Sequence, residues 1–267
     1  MIAVLWEQLR AGFLLSVGYR LSFVLSLVAR WSALVWVYFL ARLVPADRLL
    51  SPELREGYLA FALIGMATHQ YLHFVLSAFP EKLREDQLAG RVPALLVTPA
   101  APALALFGPV LWGFVERSAA LGVSLVIIVF GFGVSLPRAD GPSALLALLL
   151  MSAAVGGWGI LSACYTLVFK RGDPLLWLSE TLGFAFSGAL FPIDLLPPWL
   201  RWIPAFYPQA HAIRAARLAL LQGRGAPGLT SSLVMLALFG GALALLASAV
   251  LGLALRHVRR RGSLGFA

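Results

Sequence analysis

The sequence predicts an all-α integral membrane protein, and three observations support that fold class. The chain of 267 residues is 60% hydrophobic and only 12% charged, whereas a soluble domain carries about 25% charged residues. Apolar stretches of roughly 20 residues recur along the chain, which is the length that a helix needs to cross a bilayer core about 30 Å thick. No hydrophilic stretch is long enough to form a soluble domain, so we expect a single transmembrane domain over residues 1–267.

Residues 2–17 predict a helix that lies in the membrane interface before the first span. Apolar residues recur there near helical spacing, while Glu7, Gln8 and Arg10 interrupt them. A simple extension of the first span is the alternative. We expect no cleaved signal peptide, because the segment has neither an early basic region nor a small-residue cleavage site after a short apolar core.

The remaining apolar stretches predict six transmembrane helices, which place both termini on one side of the membrane. The basic residues from Arg256 to Arg261 adjoin the end of the last span. This favours cytoplasmic termini, because basic residues concentrate at the cytoplasmic ends of spans. We therefore expect a multi-pass protein of a prokaryotic plasma membrane. The predicted spans are Leu21–Val44, Tyr58–Phe79, Trp112–Leu136, Ser143–Phe169, Leu175–Phe191 and Leu229–Leu255.

Several polar residues lie within these spans, where charge is costly and often functional. They are Arg30, His69, His73, Glu116, Arg117 and Glu180. His69 and His73 share one helix face and have the chemistry to bind a metal or a haem, but no carboxylate or cysteine cluster completes such a site. A helix interface or a wet cavity is the alternative for the histidines. For the charged residues, ion sites or substrate contacts compete with structural pairing or snorkelling.

A polar segment of mixed charge, Pro80–Arg91, follows the second span. A lipid-binding patch would be uniformly basic, whereas mixed charge suits docking on another protein, because complementary pairs set the register. A merely solvated loop is the alternative. The residues of this predicted docking segment are Glu81, Lys82, Arg84, Glu85, Asp86, Gly90 and Arg91.

The stretch "FPIDLLPPWLRWIPAFYP", Phe191–Pro208, predicts a hairpin on the outer side rather than a simple crossing. Proline inside a helix removes a hydrogen bond, and irregular backbone exposed to lipid is not tolerated in the hydrocarbon. Pro197 and Pro198 suit the first turn of a short helix, and Trp199 and Trp202 share one face at headgroup level. A second helix from about Gln209 to Leu221 would dip back. Either a gate or exit vestibule, or an interfacial anchor for span five, fits this pattern.

The chain has no G-x-x-x-x-G-K-[ST] motif, and its only lysines are Lys82 and Lys170. A phosphate-binding loop needs that glycine run and its lysine, so we expect no ATPase activity by that route. The net charge of +9 is expected to mark span ends rather than nucleic-acid binding. Two other classes stay open on the residues alone: an ion-coupled secondary transporter, and a membrane enzyme or haem protein.

Three segments together resemble the ABC-2-type permease family, the membrane subunits of ABC exporters. The first is "PEKLREDQLAGRVPALLVTPAAP" with Gly90 and the "LLVTP" ending, Leu95–Pro99. The second is "SGALFPIDLLPPWL", which contains Phe191 and Pro192, and the third is "YPQAHAIRAARLALLQG", which has Arg217 at the family's arginine position. The chain departs from many members at Arg91, Pro93 and Arg214.

The resemblance implies a transport subunit that performs no bond chemistry and binds no cofactor. Two such subunits, identical or related, would form the pathway at their interface within the membrane lipids. Cytoplasmic ATP-binding-cassette subunits, encoded separately, would use the ATP and touch the segment Pro80–Arg91. The family's cargo includes drugs, lipids and polysaccharides, and this chain would export a compound of one of these classes.

Overall fold

The computed structural model describes residues 2–18, 20–43, 57–97, 102–169 and 174–261. Across these ranges the chain is helical and contains no β-strand, so the all-α class is confirmed. Within the described ranges, 3₁₀ turns at 193–195, 203–206 and 226–229 flank or interrupt the helices. The α-helices are α1 Ile2–Gly18, α2 Arg20–Leu43, α3 Tyr58–Leu88, α4 Val92–Val97, α5 Pro102–Phe107, α6 Val110–Phe130, α7 Gly141–Phe169, α8 Pro174–Phe186, α9 Pro208–Leu220 and α10 Thr230–Arg261.

Among the described residues, 4 segments are long and apolar enough to cross a membrane. They are Tyr58–Leu88, Val110–Phe130, Gly141–Phe169 and Ala226–Val258, and they correspond to predicted spans two, three, four and six. Helix α2 coincides with predicted span one, although only Trp31–Leu43 stands out as an apolar helix there and Val44 lies outside the described residues. The protein is therefore an integral membrane protein.

Two predicted span ends are wrong. Helix α8 ends at Phe186 rather than at Phe191, because the chain turns at Gly188, whose φ of 72° favours glycine. Its 13 residues rise only about 20 Å. Helix α6 ends at Phe130 rather than at Leu136, because Gly131 and Phe132 form a turn directly after Phe130.

Helix α3 continues through Pro80 to Leu88 as one helix of 31 residues, so the polar segment after span two is helical. Proline in a helix interior leaves the carbonyl four residues earlier without its usual donor. That carbonyl, Leu76 O, faces Gly159 of α7, where an added Cβ would lie only 2.7 Å from it. A glycine at this position lets the two helices approach closely at the proline.

The core is built around α3, which packs against α2, α6, α7 and α9, while α7 packs extensively on α10. One apolar cluster joins α3, α7, α9 and α10 around Leu72, Val155 and Ile213. A second joins α2, α3 and α6 around Leu34 and Ile128. Helix α1 contacts α6 through the edge-on rings of Phe13 and Trp112, 5.4 Å apart; whether it lies in the interface stays a prediction.

Candidate functional site: helix α3 and the hairpin it contacts

The predicted docking segment divides into an internal and an exposed half. Asp86 is only 2% exposed, and its Oδ1 accepts from Lys82 Nζ at 3.0 Å and from Arg91 Nη2 at 2.7 Å. Charge-assisted hydrogen bonds of this kind are stronger than neutral ones. Lys82, Asp86 and Arg91 therefore hold the end of α3 together, with the Asp86 carboxylate buried and the Arg91 side chain still 55% exposed.

The end of α3 is closed by a glycine turn. Gly90 has a φ of 65°, and its N–H donates to Gln87 O at 3.1 Å while the Arg91 N–H donates to Asp86 O at 2.8 Å. These two bonds form a Schellman motif, in which the residue after the helix adopts the left-handed conformation that glycine favours. The turn brings Arg91 back to the Asp86 carboxylate.

On the helix itself, the exposed residues of this segment are Glu81, Arg84, Glu85 and Leu88, which we call the α3 end face. Their spacing of three, four and seven residues puts them on one side of the helix. Leu88 is 67% exposed, so the face carries both charges and an apolar side chain. The structure thus brings the predicted docking residues together but leaves fewer of the charges available to a partner.

The opposite side of the same turns packs on α7. Leu83 is buried in a cluster with Cys164 and Leu167, and Gln87 Nε2 donates to Thr166 O at 3.4 Å. The α3 end face is therefore backed by the transmembrane core. Of the family-like ending Leu95–Pro99, Thr98 and Pro99 lie outside the described residues.

The proline-rich stretch forms turns rather than the predicted short helix. Leu200 N–H donates to Pro197 O at 2.8 Å and Ile203 N–H donates to Leu200 O at 3.0 Å. A longer helix is blocked at Pro204, which lacks an N–H and disfavours helical backbone at the residue before it. Helix α9, Pro208–Leu220, lies where a second helix is predicted.

The rest of the hairpin has an exposed aromatic surface and a backbone held by an arginine. Trp199 and Trp202 are 71% and 63% exposed. The other exposed residues of this set are Phe191, Pro197 and Pro198, whereas Pro192 and Pro204 are buried. Arg201 donates to Leu196 O at 2.9 Å and to Asp194 O at 2.8 Å. Arg201 therefore closes the turn that contains Trp199 and that Trp202 follows directly.

Arg217 connects the hairpin to α3. Its side chain lies on α9 and the residue is 8% exposed. Nε and Nη2 donate to Phe61 O at 3.2 and 3.0 Å, Nη1 donates to Gly188 O at 2.8 Å, and Nη2 donates to Ala189 O at 2.6 Å. The guanidinium carbon lies 3.3 Å from the centre of the Phe61 ring. One side chain thus joins α9, the turn after α8 and the first turns of α3.

Gly65 makes this junction possible. A Cβ at this position would overlap Ala189 O and Arg217 Nη2. The turn after α8 therefore lies directly against the α3 backbone, and any larger residue would push it away.

The intramembrane histidines both face α8. His73 Nε2 lies 3.1 Å from Glu180 Oε1, and the buried His69 ring lies 4.9 Å from the Phe184 ring. The prediction that His69 and His73 share a face is consistent with this arrangement. No group of three or more His, Cys, Asp or Glu residues that could hold a metal occurs in the part of the chain that the structure describes.

A cavity of about 500 Å³ lies between α2, α3, α6 and α8, and its lining includes His69, His73 and Arg117. The Arg117 guanidinium lies 5.0 Å from the centre of the Phe74 ring. Glu116 is not among the residues that line this cavity. Arg30 lies in α2, but its side chain is outside what the structure describes. The cavity brings three of the predicted polar candidates together.

The comparison with known proteins identifies the family. Residues 86–221, which are half of the chain, match the ABC-2 type transporter family. The chain belongs to this family. Over 108 residues it is 34% identical to ABC transporter G family member 20 of Dictyostelium discoideum. That alignment covers 39% of this chain and 14% of the relative, so the chain spans only a small part of the relative's length. The sequence resemblance is thereby confirmed.

Within this ABC-2 transporter domain, the matched residues begin at Asp86 and run past Arg217, so they include the hairpin and its junction with α8 and α9. Sequence reasoning missed Phe61, which accepts from Arg217, and Gly65, which leaves room for the Arg217 side chain. It also missed the contact between Tyr71 and Ser152, whose hydroxyl oxygens lie 2.7 Å apart across α3 and α7. The available signal was that Gly65 is a lone glycine within an apolar run of α3, which is consistent with a close approach of another segment at that position.

Proposed function

We propose that this chain is the membrane-spanning subunit of an ATP-binding-cassette exporter, energised by separate ATP-binding subunits. The α3 end face is the observation that carries the proposal. It is a small exposed surface of mixed charge, with an exposed leucine, at the end of a membrane-crossing helix. Such a surface suits a protein partner, because complementary charges set orientation and the apolar residue adds buried area.

The proposed topology has six spans, with α2 and α8 added to the four long helices, and both termini in the cytoplasm of a prokaryotic cell. This arrangement puts the α3 end face on the cytoplasmic side, where ATP is, and the hairpin on the outer side. The basic residues at the end of α10 support this orientation. Helix α8 is short for a span, and the turn and hairpin that follow it would complete the outer end.

The proposed assembly contains two permease subunits, identical or related, each a single domain over residues 1–267. ATP is bound and hydrolysed by the partner subunits, and this chain binds no cofactor of its own. The partner's ATP cycle would shift the permease between conformations by contacting them differently. A drug-like, lipid or polysaccharide compound is the proposed cargo. Family membership supports ATP-driven transport over the ion-coupled alternative.

The hairpin is proposed as a gate or exit vestibule at the outer end of the pathway. Arg217 supports this role, because it ties the hairpin to α3 through buried hydrogen bonds rather than leaving it as a loose surface loop. Trp199 and Trp202 would rest at headgroup level, where tryptophan is favoured. An interfacial anchor for α8 uses the same tryptophans, but does not require a tie to α3.

The test is co-purification with candidate ATP-binding-cassette proteins, followed by ATP turnover measured with and without the partner. We expect turnover only in the complex. The Arg84→Glu/Glu85→Arg double variant keeps the net charge but exchanges the two signs on the α3 end face, and it should weaken association without unfolding the spans. Arg224→Glu, a charge reversal at an exposed residue outside the α3 end face, is the control.

ATP turnover by the pure chain alone would contradict the proposal that separate subunits bind and hydrolyse ATP. Association and cargo-stimulated turnover that survive the double variant unchanged would contradict docking at the α3 end face, whatever the identity of the cargo.

A further inference from the structure

An open groove of about 930 Å³ runs between α7 and α10 near their C-terminal ends. The residues of α7 that line the groove recur at helical spacing, so their side chains form one continuous stripe along the helix. This stripe consists of Leu161, Cys164, Tyr165 and Val168, and Phe169 extends it. The Tyr165 and Phe169 rings are stacked with centres 4.4 Å apart, which gives the groove a flat aromatic wall.

The α10 side combines an apolar stripe with a basic end. Val250, Leu253 and Ala254 continue the apolar lining, and Arg256 and His257 stand at its end. Leu253 is 64% exposed although its side chain is apolar. The groove is therefore apolar along its length, open on one side, and basic at the end that Arg256 and His257 line.

The length of α10 indicates where the groove lies relative to the hydrocarbon core. From Thr230 to Arg256 a helix rises about 40 Å, which exceeds a hydrocarbon core of about 30 Å. The basic end of the groove is thus expected at headgroup level when the apolar part of α10 fills the core. The sequence adds more positive charge nearby, with Arg259, Arg260 and Arg261 after the groove residues.

The geometry points to a binding site for an anionic glycerophospholipid in this groove, with an acyl chain along the apolar stripe and the phosphate at Arg256 and His257. An acyl chain gains burial along the stripe, and basic clusters beside a helix end attract anionic headgroups. A zwitterionic lipid fills the same stripe but gains less at the basic end. This site goes beyond the proposed transport function, because lipid binding in the groove needs neither cargo nor ATP-binding partner.

The test uses the purified full-length chain and native mass spectrometry with phosphatidylglycerol and phosphatidylcholine at equal concentration. The wild-type protein should retain phosphatidylglycerol in preference to phosphatidylcholine. The Arg256→Gln/His257→Gln variant should lose most of that preference, since one arginine near a membrane surface is worth about fivefold in affinity. Arg224→Gln removes one exposed positive charge outside the groove and should leave the preference unchanged.

A second variant separates the groove from general attraction by basic residues. Leu253→Trp narrows the groove at an exposed position and keeps every positive charge, so it should reduce retention of phosphatidylglycerol. Equal retention of the two lipids by the wild type would overturn the site. The site would also be overturned by a preference for phosphatidylglycerol that survives either groove variant, or by one that Arg224→Gln reduces equally. Such a result would mean that lipid binding is diffuse or that protein fills the groove.

Discussion

Replacing Arg217 with glutamine tests whether one buried side chain fixes the hairpin on α3. The arginine donates to the carbonyls of Phe61, Gly188 and Ala189, with the longest of these bonds at 3.2 Å. Glutamine is shorter and offers one amide group in place of a three-nitrogen fork, so it cannot reach all three carbonyls. The junction should open between α9, the turn after α8 and α3.

The magnitude follows from the carbonyls that lose their donor. Leaving a buried polar group unsatisfied costs about 1–3 kcal/mol, and Arg217 serves three carbonyls at 8% exposure. Partial replacement by glutamine or water brings the expected cost to about 3 kcal/mol. A local opening that becomes easier by about 3 kcal/mol raises amide exchange by roughly 100-fold.

Hydrogen–deuterium exchange of the purified full chain is the suitable assay, because it reports the hairpin separately from the long spans. We expect faster exchange in residues 187–192 and 209–220 of Arg217→Gln, with α7 and α10 unchanged. Arg214→Gln is the matched control, since Arg214 is an exposed arginine on the same helix. If the two variants exchange alike, the hydrogen bonds of Arg217 do not hold the hairpin and the reasoning is refuted.

Two further predictions concern packing and topology. Gly65→Ala should lower the thermal stability of the purified protein by an amount that corresponds to about 1–3 kcal/mol, because it overfills a tight contact. Gly252→Ala should leave stability unchanged or raise it, because a Cβ added there meets nothing within 4 Å. Equal shifts in the two variants would contradict the close approach at Gly65. With Cys164 replaced, a cysteine at Arg201 should react with an impermeant thiol reagent added outside intact cells and a cysteine at Glu85 should not, and the reverse pattern would overturn the proposed orientation.

The long apolar spans could be predicted from the sequence because their signal is local. Helix α7 begins at Gly141 and ends at Phe169, close to the predicted Ser143–Phe169. The end of α8 could not be predicted in the same way, because the residues after Phe186 are also mostly apolar. What stops the helix is the left-handed backbone at Gly188, and a hydropathy pattern does not contain that information.

The polar end of α3 shows a second limit. The mixed charges predict a polar segment after span two, but they do not indicate that α3 continues as one helix through Pro80 to Leu88. Once the helix continues, its period separates Glu81, Arg84 and Glu85 from the inward-facing Asp86. The inward role of Asp86 depends on the return of Arg91 through the Gly90 turn, and the outward role of its neighbours follows from the same geometry.

Arg217 shows why a motif can reveal a position without revealing its role. The resemblance singled out the residue, but its partner Phe61 lies 156 positions away in the sequence. Contacts over such separations depend on how several helices pack, and one sequence gives no measure of that. Trp199 and Trp202 are exposed, and their place at headgroup level stays a prediction, which rests on the side chain itself rather than on such contacts.

Helix α3 connects the two surfaces on which the proposed function depends. Phe61 lies near its start and accepts from Arg217, whereas the α3 end face begins at Glu81 and ends at Leu88. From Phe61 to Leu88 the helix rises about 40 Å, and it is continuous through Pro80, where Gly159 lets α7 pack closely against it. If α3 moves as a unit, a displacement imposed at the α3 end face would shift Phe61 as well. The hydrogen bonds of Arg217 would then carry the shift to the turn after α8 and to α9. Under the proposed function, a partner that moves α3 would therefore act on the hairpin without any separate relay, and the junction at Arg217 and Gly65 would be the contact through which it acts.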